Sequence, residues 1–161
     1  ASAVAVYGAQ NWSTSVTGAD NDYLTIRGYA LESGRNFSEA EVASGTPVCI
    51  LGQTVKKQLF GDTKPDGERV RVGRVSCQVI GTLVAKGAAA MGPDQDDVVV
   101  MPLRCVQRRI SGNTNVAMIF VKVSSSLPTS VVQERIVSLM RSSRTTRPGR
   151  RPGGRASERR L

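Results

Sequence analysis

Residues 48–103 constrain the fold more than any other part of the chain, because a strand, a helix, a hairpin, a loop and a further strand are predicted here one after another. The run VCIL at 48–51 is compact and apolar, as in a buried strand. Residues 53–60 then carry their apolar side chains at helical spacing, and Gly61 provides a favourable helix end. A hairpin and a further strand complete the segment. This order predicts a mixed α+β domain.

The hairpin is the most regular part of the segment. Charged and apolar side chains alternate along RVRV at 69–72, which is typical of a strand with one buried and one solvent-facing side. Gly73 and Arg74 supply a two-residue turn, with glycine where a type II′ turn requires a positive φ. The return strand is predicted at 75–84.

Three predictions outside this segment bear on the fold. The apolar run VAMIFVKV at 116–123 predicts a central strand covered on both faces. Residues 130–141 predict a last helix with an apolar stripe, a capping box beginning at its first residue, Ser130, and an end at Arg141. Ser38 and Glu41 have the spacing of another capping box, so a helix is predicted at 38–42. The remaining predicted elements are strands at 4–7, 13–16 and 98–101, a helical turn or strand at 23–26, a loop at 86–97, and a short helix at 103–110 opened by Pro102.

The positive charge of the chain is concentrated in its tail. The net charge of the 161 residues is +9, yet residues 1–140 hold 14 Lys or Arg against 12 Asp or Glu. Residues 141–161 hold 8 Arg against one Glu and are rich in Pro, Gly and Ser. Such a composition predicts disorder, here over 142–161. Two interpretations stay open: a tail that binds phosphate backbones or anionic lipid headgroups, and a tail without native function. The use of arginine without any lysine fits the second interpretation.

Most catalytic chemistry is excluded by what the sequence lacks. There is no histidine, so a serine or cysteine nucleophile would lack its usual base, and imidazole-dependent metal sites are ruled out. No glycine pattern typical of a phosphate-binding loop occurs. Cys49, Cys77 and Cys105 each lie in or beside an apolar stretch. They are interpreted as buried small hydrophobes, with one disulfide plus a spare thiol, or a reactive thiol, as the alternatives.

The loop at 86–97 is the candidate contact surface, because loops on rigid scaffolds commonly carry recognition. Its acidic residues are the closest carboxylate cluster in the chain, but their spacing does not match a calcium-binding EF-hand loop. A solvated loop is the preferred interpretation, a hard-cation site the alternative, and no metal or cofactor is predicted. The predicted partner-binding residues are Lys86, Met91, Asp94, Asp96 and Asp97.

Neither a membrane helix nor a signal peptide is predicted. No window approaches the roughly 18 to 20 consecutive apolar residues that a spanning helix needs. The N-terminal residues lack a basic start followed by a long apolar run.

Four motifs follow one another in fixed order: LGQTVKKQLFG at 51–61, PDGERVRVG at 65–73, VSCQVIGTLVAKG at 75–87 and DDVVVMPL at 96–103. Together they resemble the periplasmic core domain of MacB-type ABC transporter permeases. Residues 11–42 resemble the preceding part of the same domain, so the similarity covers about 5–141. The motifs consist of glycine, proline and apolar positions, which specify a fold more than a site. Cys49 and Cys77 depart from the aliphatic or small residues expected at their positions, and a disulfide there is not implied by the resemblance.

The resemblance implies a two-lobed α+β domain over 1–141. Residues 1–110 would form much of a β-rich, sabre-like lobe with short helices. Residues 115–141 would be a strand–helix piece of a porter-like α/β lobe, whose first segment is expected to precede Ala1.

The resemblance also implies a non-enzymatic role in transport. The domain would face the periplasm from an inner-membrane permease that acts as a homodimer, with ATP hydrolysis in a separate nucleotide-binding domain. It would couple ATP-driven motion to a periplasmic adaptor and an outer-membrane channel during export of antibiotics, peptides or lipoproteins. The alternative from a different class is a small basic protein that binds nucleic acid through its Arg-rich tail.

Overall fold

A computed structural model of the protein describes residues 1–87 and 92–144. These residues form seven strands: β1 (Ser2–Tyr7), β2 (Gln10–Ala19), β3 (Leu31–Gly34), β4 (Val48–Leu51), β5 (Arg69–Val72), β6 (Val75–Leu83) and β7 (Val98–Pro102). They also form five α-helices: α1 (Tyr23–Ile26), α2 (Glu39–Ser44), α3 (Gln53–Phe60), α4 (Leu103–Val106) and α5 (Thr129–Arg144). The chain divides into two compact units, one covering Ala1–Val121 and one beginning at Lys122. The predicted α+β class is confirmed.

Six of the strands close into a ring. The order is β6, β4, β7, β2, β1 and β5, and β5 pairs again with β6, while β3 adds to the far end of β6. The β4–β6 and β2–β7 pairs are parallel and the other pairs are antiparallel. Closing a sheet on itself satisfies the backbone groups that an open edge would leave unpaired.

The ring encloses the larger of two hydrophobic cores. Each ring strand contributes to it, and α3 and α4 add apolar side chains. Along β4, Cys49 and Leu51 face this inner core while Val48 and Ile50 face the other side, as the period of a strand requires. The inner core consists of Ala5, Val16, Cys49, Leu51, Val55, Leu59, Phe60, Val70, Val72, Val75, Cys77, Val79, Val99, Met101, Cys105 and Val106.

A smaller core covers the outer face of β4 and β7. It contains Val48 and Ile50 from β4, Val98 and Val100 from β7, and four residues contributed by other segments. Both strands are therefore buried on two faces, which explains why each reads as an uninterrupted apolar run. The four other residues are Ala19, Leu24, Phe37 and Leu83.

Local sequence signals specify several elements as predicted. Gly73 has φ +59° at the hairpin turn between β5 and β6. The Ser38 Oγ accepts a hydrogen bond from the Glu41 amide at 3.2 Å, and Glu41 Oε2 accepts one from the Ser38 amide at 2.9 Å. This is the capping box predicted for the start of α2. The predicted strand at 48–51 and helix at 53–60 are confirmed with the same bounds.

The central strand predicted at 116–123 is wrong. Residues 116–123 pair with no strand among the described residues, and Val116, Met118 and Ile119 are 56%, 67% and 65% exposed. A strand covered on both faces needs neighbouring strands, and the ring has closed on its own members. The strand part of the predicted strand–helix piece at 115–141 is therefore absent, while its helix is present as α5.

Other elements differ from the predictions in their bounds. The strand predicted at 13–16 is the middle of the longer β2, since all six residues of β1 pair with it. Residues 23–26 are helical. The short helix after Pro102 is α4, and a π-helical turn, Gln107–Ser111, continues it.

The last helix is longer than predicted at both ends. Helix α5 begins at Thr129, so Ser130 lies inside it rather than capping it. It runs to Arg144, three residues beyond the predicted end and into the segment predicted as a disordered tail. The rest of that tail, 145–161, lies outside the described residues. No helix among 1–87 and 92–144 has the length and apolar character needed to cross a bilayer.

The stability of the first unit should fall at low pH through Glu41. Two hydrogen bonds from the Arg35 guanidinium, at 2.7 and 2.9 Å, and that from the Ser38 amide lower the pKa of Glu41 to about 2. The folded value lies below the unfolded value of about 4.3, so the stabilisation is present above that pH and lost as the pH falls towards about 2. Because Arg35 is solvent-exposed, we expect a loss of about 1 kcal/mol in the free energy of unfolding.

Urea unfolding at about pH 5 and about pH 2.5 measures this loss. Glu41→Gln is the matched variant, because it keeps an amide oxygen for the Ser38 amide and removes the charge. The variant should show a smaller decline between the two pH values than the parent chain. Equal declines in both proteins would contradict the assignment to Glu41.

Candidate functional site

The predicted contact loop, residues 86–97, connects β6 to β7 and is fastened by Asp96. This side chain is only 7% exposed. Its Oδ1 accepts a hydrogen bond from the Lys86 amide at 2.7 Å, and its Oδ2 accepts one from the Gly87 amide at 2.9 Å. One carboxylate therefore ties the two ends of the contact loop together.

Asp94 and Asp97 attach the same end of the loop to other elements. Asp94 Oδ2 accepts a hydrogen bond from the Thr54 hydroxyl of α3 at 2.5 Å. This hydrogen bond is the main cause of the lowered pKa of Asp94. Asp97 Oδ1 accepts the indole N–H of Trp12 on β2 at 3.0 Å. The three carboxylates thus serve separate donors. Within 1–87 and 92–144, no group of three His, Cys, Asp or Glu side chains is placed to hold a metal ion.

The backbone of the loop is also packed against the start of α3. The Gly52 amide donates to the Val98 carbonyl at 2.8 Å, and the Thr54 amide donates to the Asp96 carbonyl at 3.2 Å. A Cβ at Gly52 would collide with the Asp96 carbonyl oxygen, so glycine permits this close approach.

Lys86 joins the other end of the loop to the segment after α1. Its ammonium group donates to the Arg27 carbonyl and lies 4.1 Å from the centroid of the Tyr29 ring. The Tyr29 hydroxyl donates to the Gln95 carbonyl at 3.1 Å, and burial raises the pKa of Tyr29. The Lys86 amide is thus bonded to Asp96, whose own amide donates to Asp94 Oδ1 at 2.9 Å, so the described residues of the predicted contact surface lie close together. The fifth predicted residue, Met91, lies outside the described residues.

Sequence reasoning missed a cleft on the same unit. It has a volume of about 660 Å³ and is lined by residues of β2, α1, α4 and 111–120. Phe120 is held there by the Arg27 guanidinium, 4.8 Å from its ring centroid, and by the Tyr23 ring, 5.9 Å away edge to face. Val116, Met118 and Ile119 are among its apolar lining residues. No local signal could have found it, because a buried strand and an exposed apolar segment have the same sequence pattern.

The three cysteines are fully buried in the inner core. The sulfur atoms of Cys49 and Cys77 lie 2.9 Å apart, and Cys77 Sγ lies 3.4 Å from the Val70 carbonyl oxygen. Burial raises the pKa of Cys49 and of Cys105, and the neighbouring Cys77 raises that of Cys49 further. A reactive thiol needs the opposite environment, exposed and with a lowered pKa, so these contacts count against the reactive-thiol interpretation.

Comparison with solved structures identifies the fold. The periplasmic region of MacB from Actinobacillus actinomycetemcomitans matches with a TM-score of 0.76 and 24% identity over 90% of this chain and 64% of that one. The extracellular domain of the ABC-type transporter YknZ from Gram-positive bacteria matches with a TM-score of 0.72 and 19% identity over 91% and 73% of the two chains. At these identities the likeness shows the fold alone.

Sequence comparison identifies the family. A macrolide export ATP-binding/permease protein MacB from Chlorobaculum tepidum is 41% identical over 137 residues, which are 84% of this chain and 21% of the relative. The MacB protein of Bdellovibrio bacteriovorus is 36% identical over 132 residues, which are 81% of this chain and 20% of that relative. The chain thus spans about a fifth of the length of these curated relatives. The family model of the MacB-like periplasmic core domain matches residues 1–139, and the chain belongs to that family, as its four motifs predicted.

Proposed function

We propose that this chain is the periplasm-facing domain of an inner-membrane ABC transporter permease, where it couples ATP-driven motion to export. The observation that carries the proposal is the 41% identity to a macrolide export ATP-binding/permease protein over 137 residues. The ATP-binding part would belong to a separate domain of the same transporter. The exported cargo would be an antibiotic, a peptide or a lipoprotein.

The geometry of the first unit suits a mechanical role without catalysis. A closed ring with one core inside and a second core over β4 and β7 transmits displacement as a body, because close-packed interiors are hardly compressible. The chain contains no histidine, and its thiols are buried. The domain would therefore act by moving and by being contacted.

The contact loop is the proposed site for a periplasmic adaptor, which would link the transporter to an outer-membrane channel. Asp96 fixes both ends of the loop, and Trp12 and Thr54 hold its acidic residues. Loop ends that are held in advance lose little conformational entropy when a partner binds, which favours affinity. The partner-binding residues proposed are Lys86, Met91, Asp94, Asp96 and Asp97.

Residues 115–141 are proposed to belong to the porter-like lobe of the domain. Met118 and Ile119 are exposed, and so are Leu139 and Met140 of α5. A lobe completed by further chain, together with the homodimer proposed for the whole transporter, would bury such side chains. The nucleic-acid alternative depends on the tail, and no contact made by the described residues favours it.

A chimaera tests the proposed function. Residues 1–141 would replace the matching segment of the Chlorobaculum tepidum relative in an efflux-deficient host that supplies an adaptor and an outer-membrane channel. We expect macrolide resistance to return, because the inserted segment is 41% identical to the one that it replaces. The relative without the segment should confer none. A chimaera that reaches the membrane and hydrolyses ATP, yet confers no resistance, would count against the proposal.

The loop anchor yields a separate prediction. In Asp96→Asn one carboxylate oxygen becomes an NH₂ group, which cannot accept from a backbone amide, so one of the two ties to Lys86 and Gly87 is lost. We expect hydrogen exchange to accelerate by about tenfold or more at the amide that loses its acceptor, with weaker adaptor cross-linking in the full transporter.

Asp62→Asn is the matched control for this change. It removes the same charge from an exposed residue of the first unit. Exchange at Lys86 and Gly87 should be unchanged in it. If the Asp96→Asn variant exchanged at the parental rate, Asp96 would not anchor the loop, and if exchange rose while cross-linking stayed constant, the loop would not be the contact site.

A further inference from the structure

The two closest thiols of the inner core lie on neighbouring strands of the ring. Cys49 on β4 pairs in register with Val79 on the parallel strand β6, and Cys77 precedes Val79 by two residues. Residues two apart on a strand face the same side, so both thiols face the inner core. Their sulfur atoms are 2.9 Å apart, and both residues are fully buried.

The two sulfur atoms lie close to bonding distance. Sulfur atoms in a disulfide lie about 2.0 Å apart, so the two atoms need to approach by roughly 0.9 Å. Backbone pairing already holds β4 beside β6, and Cys77 is itself paired with Val70 on β5. The third cysteine, Cys105, lies on α4 and makes no sulfur contact of this kind among the described residues.

We propose that Cys49 and Cys77 form a disulfide when the protein folds in an oxidising compartment, and that Cys105 stays a thiol. The compartment rests on the proposed function, since disulfides persist in the periplasm and are rare in the cytosol. The pairing itself rests only on the geometry of β4 and β6.

The oxidant is a protein or small-molecule disulfide. A thiolate of one cysteine attacks a sulfur of that disulfide, forms a mixed disulfide and expels one thiolate. The second cysteine attacks the sulfur of the first, which forms the Cys49–Cys77 bond and expels the other thiolate. Two protein thiols are oxidised, one external disulfide is reduced to two thiols, and the two protons pass from the protein thiols to the products.

Burial determines when this exchange takes place. In the folded chain both sulfur atoms are inaccessible to an external disulfide, and a buried thiol is poorly ionised. Oxidation therefore takes place once β4 and β6 have paired but before the rest of the ring has closed over the two sulfur atoms. The same burial afterwards protects the bond, so that glutathione reduces it in the denatured chain and not in the native one.

Refolding the complete 161-residue chain in a glutathione redox buffer tests the pairing. After acid quenching, the thiols are alkylated in denaturant and the peptides are analysed by mass spectrometry. We expect one alkylated site, Cys105, and one linked peptide joining Cys49 to Cys77. Three alkylated sites, or a link that contains Cys105, would overturn the proposal.

Single variants sharpen the result. Cys105→Ala removes the spare thiol from the same core, so this variant should keep the Cys49–Cys77 link and show no alkylation. Cys77→Ala should leave two alkylated thiols, Cys49 and Cys105. A Cys49–Cys105 disulfide in this variant would show that the neighbouring positions on β4 and β6 do not determine which cysteines are linked. The thiol count of the parent chain decides the question even where a variant fails to fold.

Acid-quenched cells expressing the full transporter separate the two premises. If the bond forms in the refolding buffer but all three thiols are alkylated in the cellular protein, the oxidising compartment is wrong, and the proposed function fails with it. If the bond does not form in the buffer, the geometric assignment is wrong and the proposed function is unaffected.

Discussion

The pairing of β6 with three other strands is the interaction on which the rest of the structure depends. Its first residues pair with β5, its opposite edge pairs with β4, and its last residues pair with β3. The β5–β6 pairs close the ring. The β4–β6 pairs are parallel, so the chain must cross over between these two strands, and α3 lies in that connection. Without β6, the inner core would lose Val75, Cys77 and Val79 and would open to solvent on one side. The contact loop begins where β6 ends, so the placement of that loop follows from the same strand.

Sequence reasoning succeeded where nearby residues decide the structure. The Gly73 turn, the Ser38–Glu41 capping box and the bounds of α3 depend on contacts within a few positions, and these were predicted. The segment 116–123 was misassigned because its apolar pattern is local, while pairing requires a partner strand that the ring does not provide. Likewise, the parallel β2–β7 pairs join residues far apart in the chain, and no local sequence pattern indicates that these two strands are neighbours.

At the candidate site, too, the local sequence pattern was recognisable but the long-range contacts were not. The sequence displayed an acidic loop, and its composition predicted solvated carboxylates or a cation site. In the fold, Asp96 is buried and bonded to two backbone amides, and Asp97 reaches Trp12, 85 positions away along the chain. Long-range donors therefore decide what these side chains do. The cysteines behave similarly, because Cys49 and Cys77 are 28 positions apart and meet only through the register of two strands.

A domain that transmits force is most vulnerable where its hydrogen-bond ladder is interrupted. In the ring, the β4–β6 register shifts between Cys49 and Ile50, so one residue of β6 is left without a partner on β4 at that point. The proposed bond from Cys49 to Cys77 begins beside this irregularity and ties the two strands where their backbone pairing is weakest. The parallel pairing there is also slightly less stable per residue than antiparallel pairing. A covalent link at this place would let load pass between β4 and β6 without separating them, as the proposed coupling role would require.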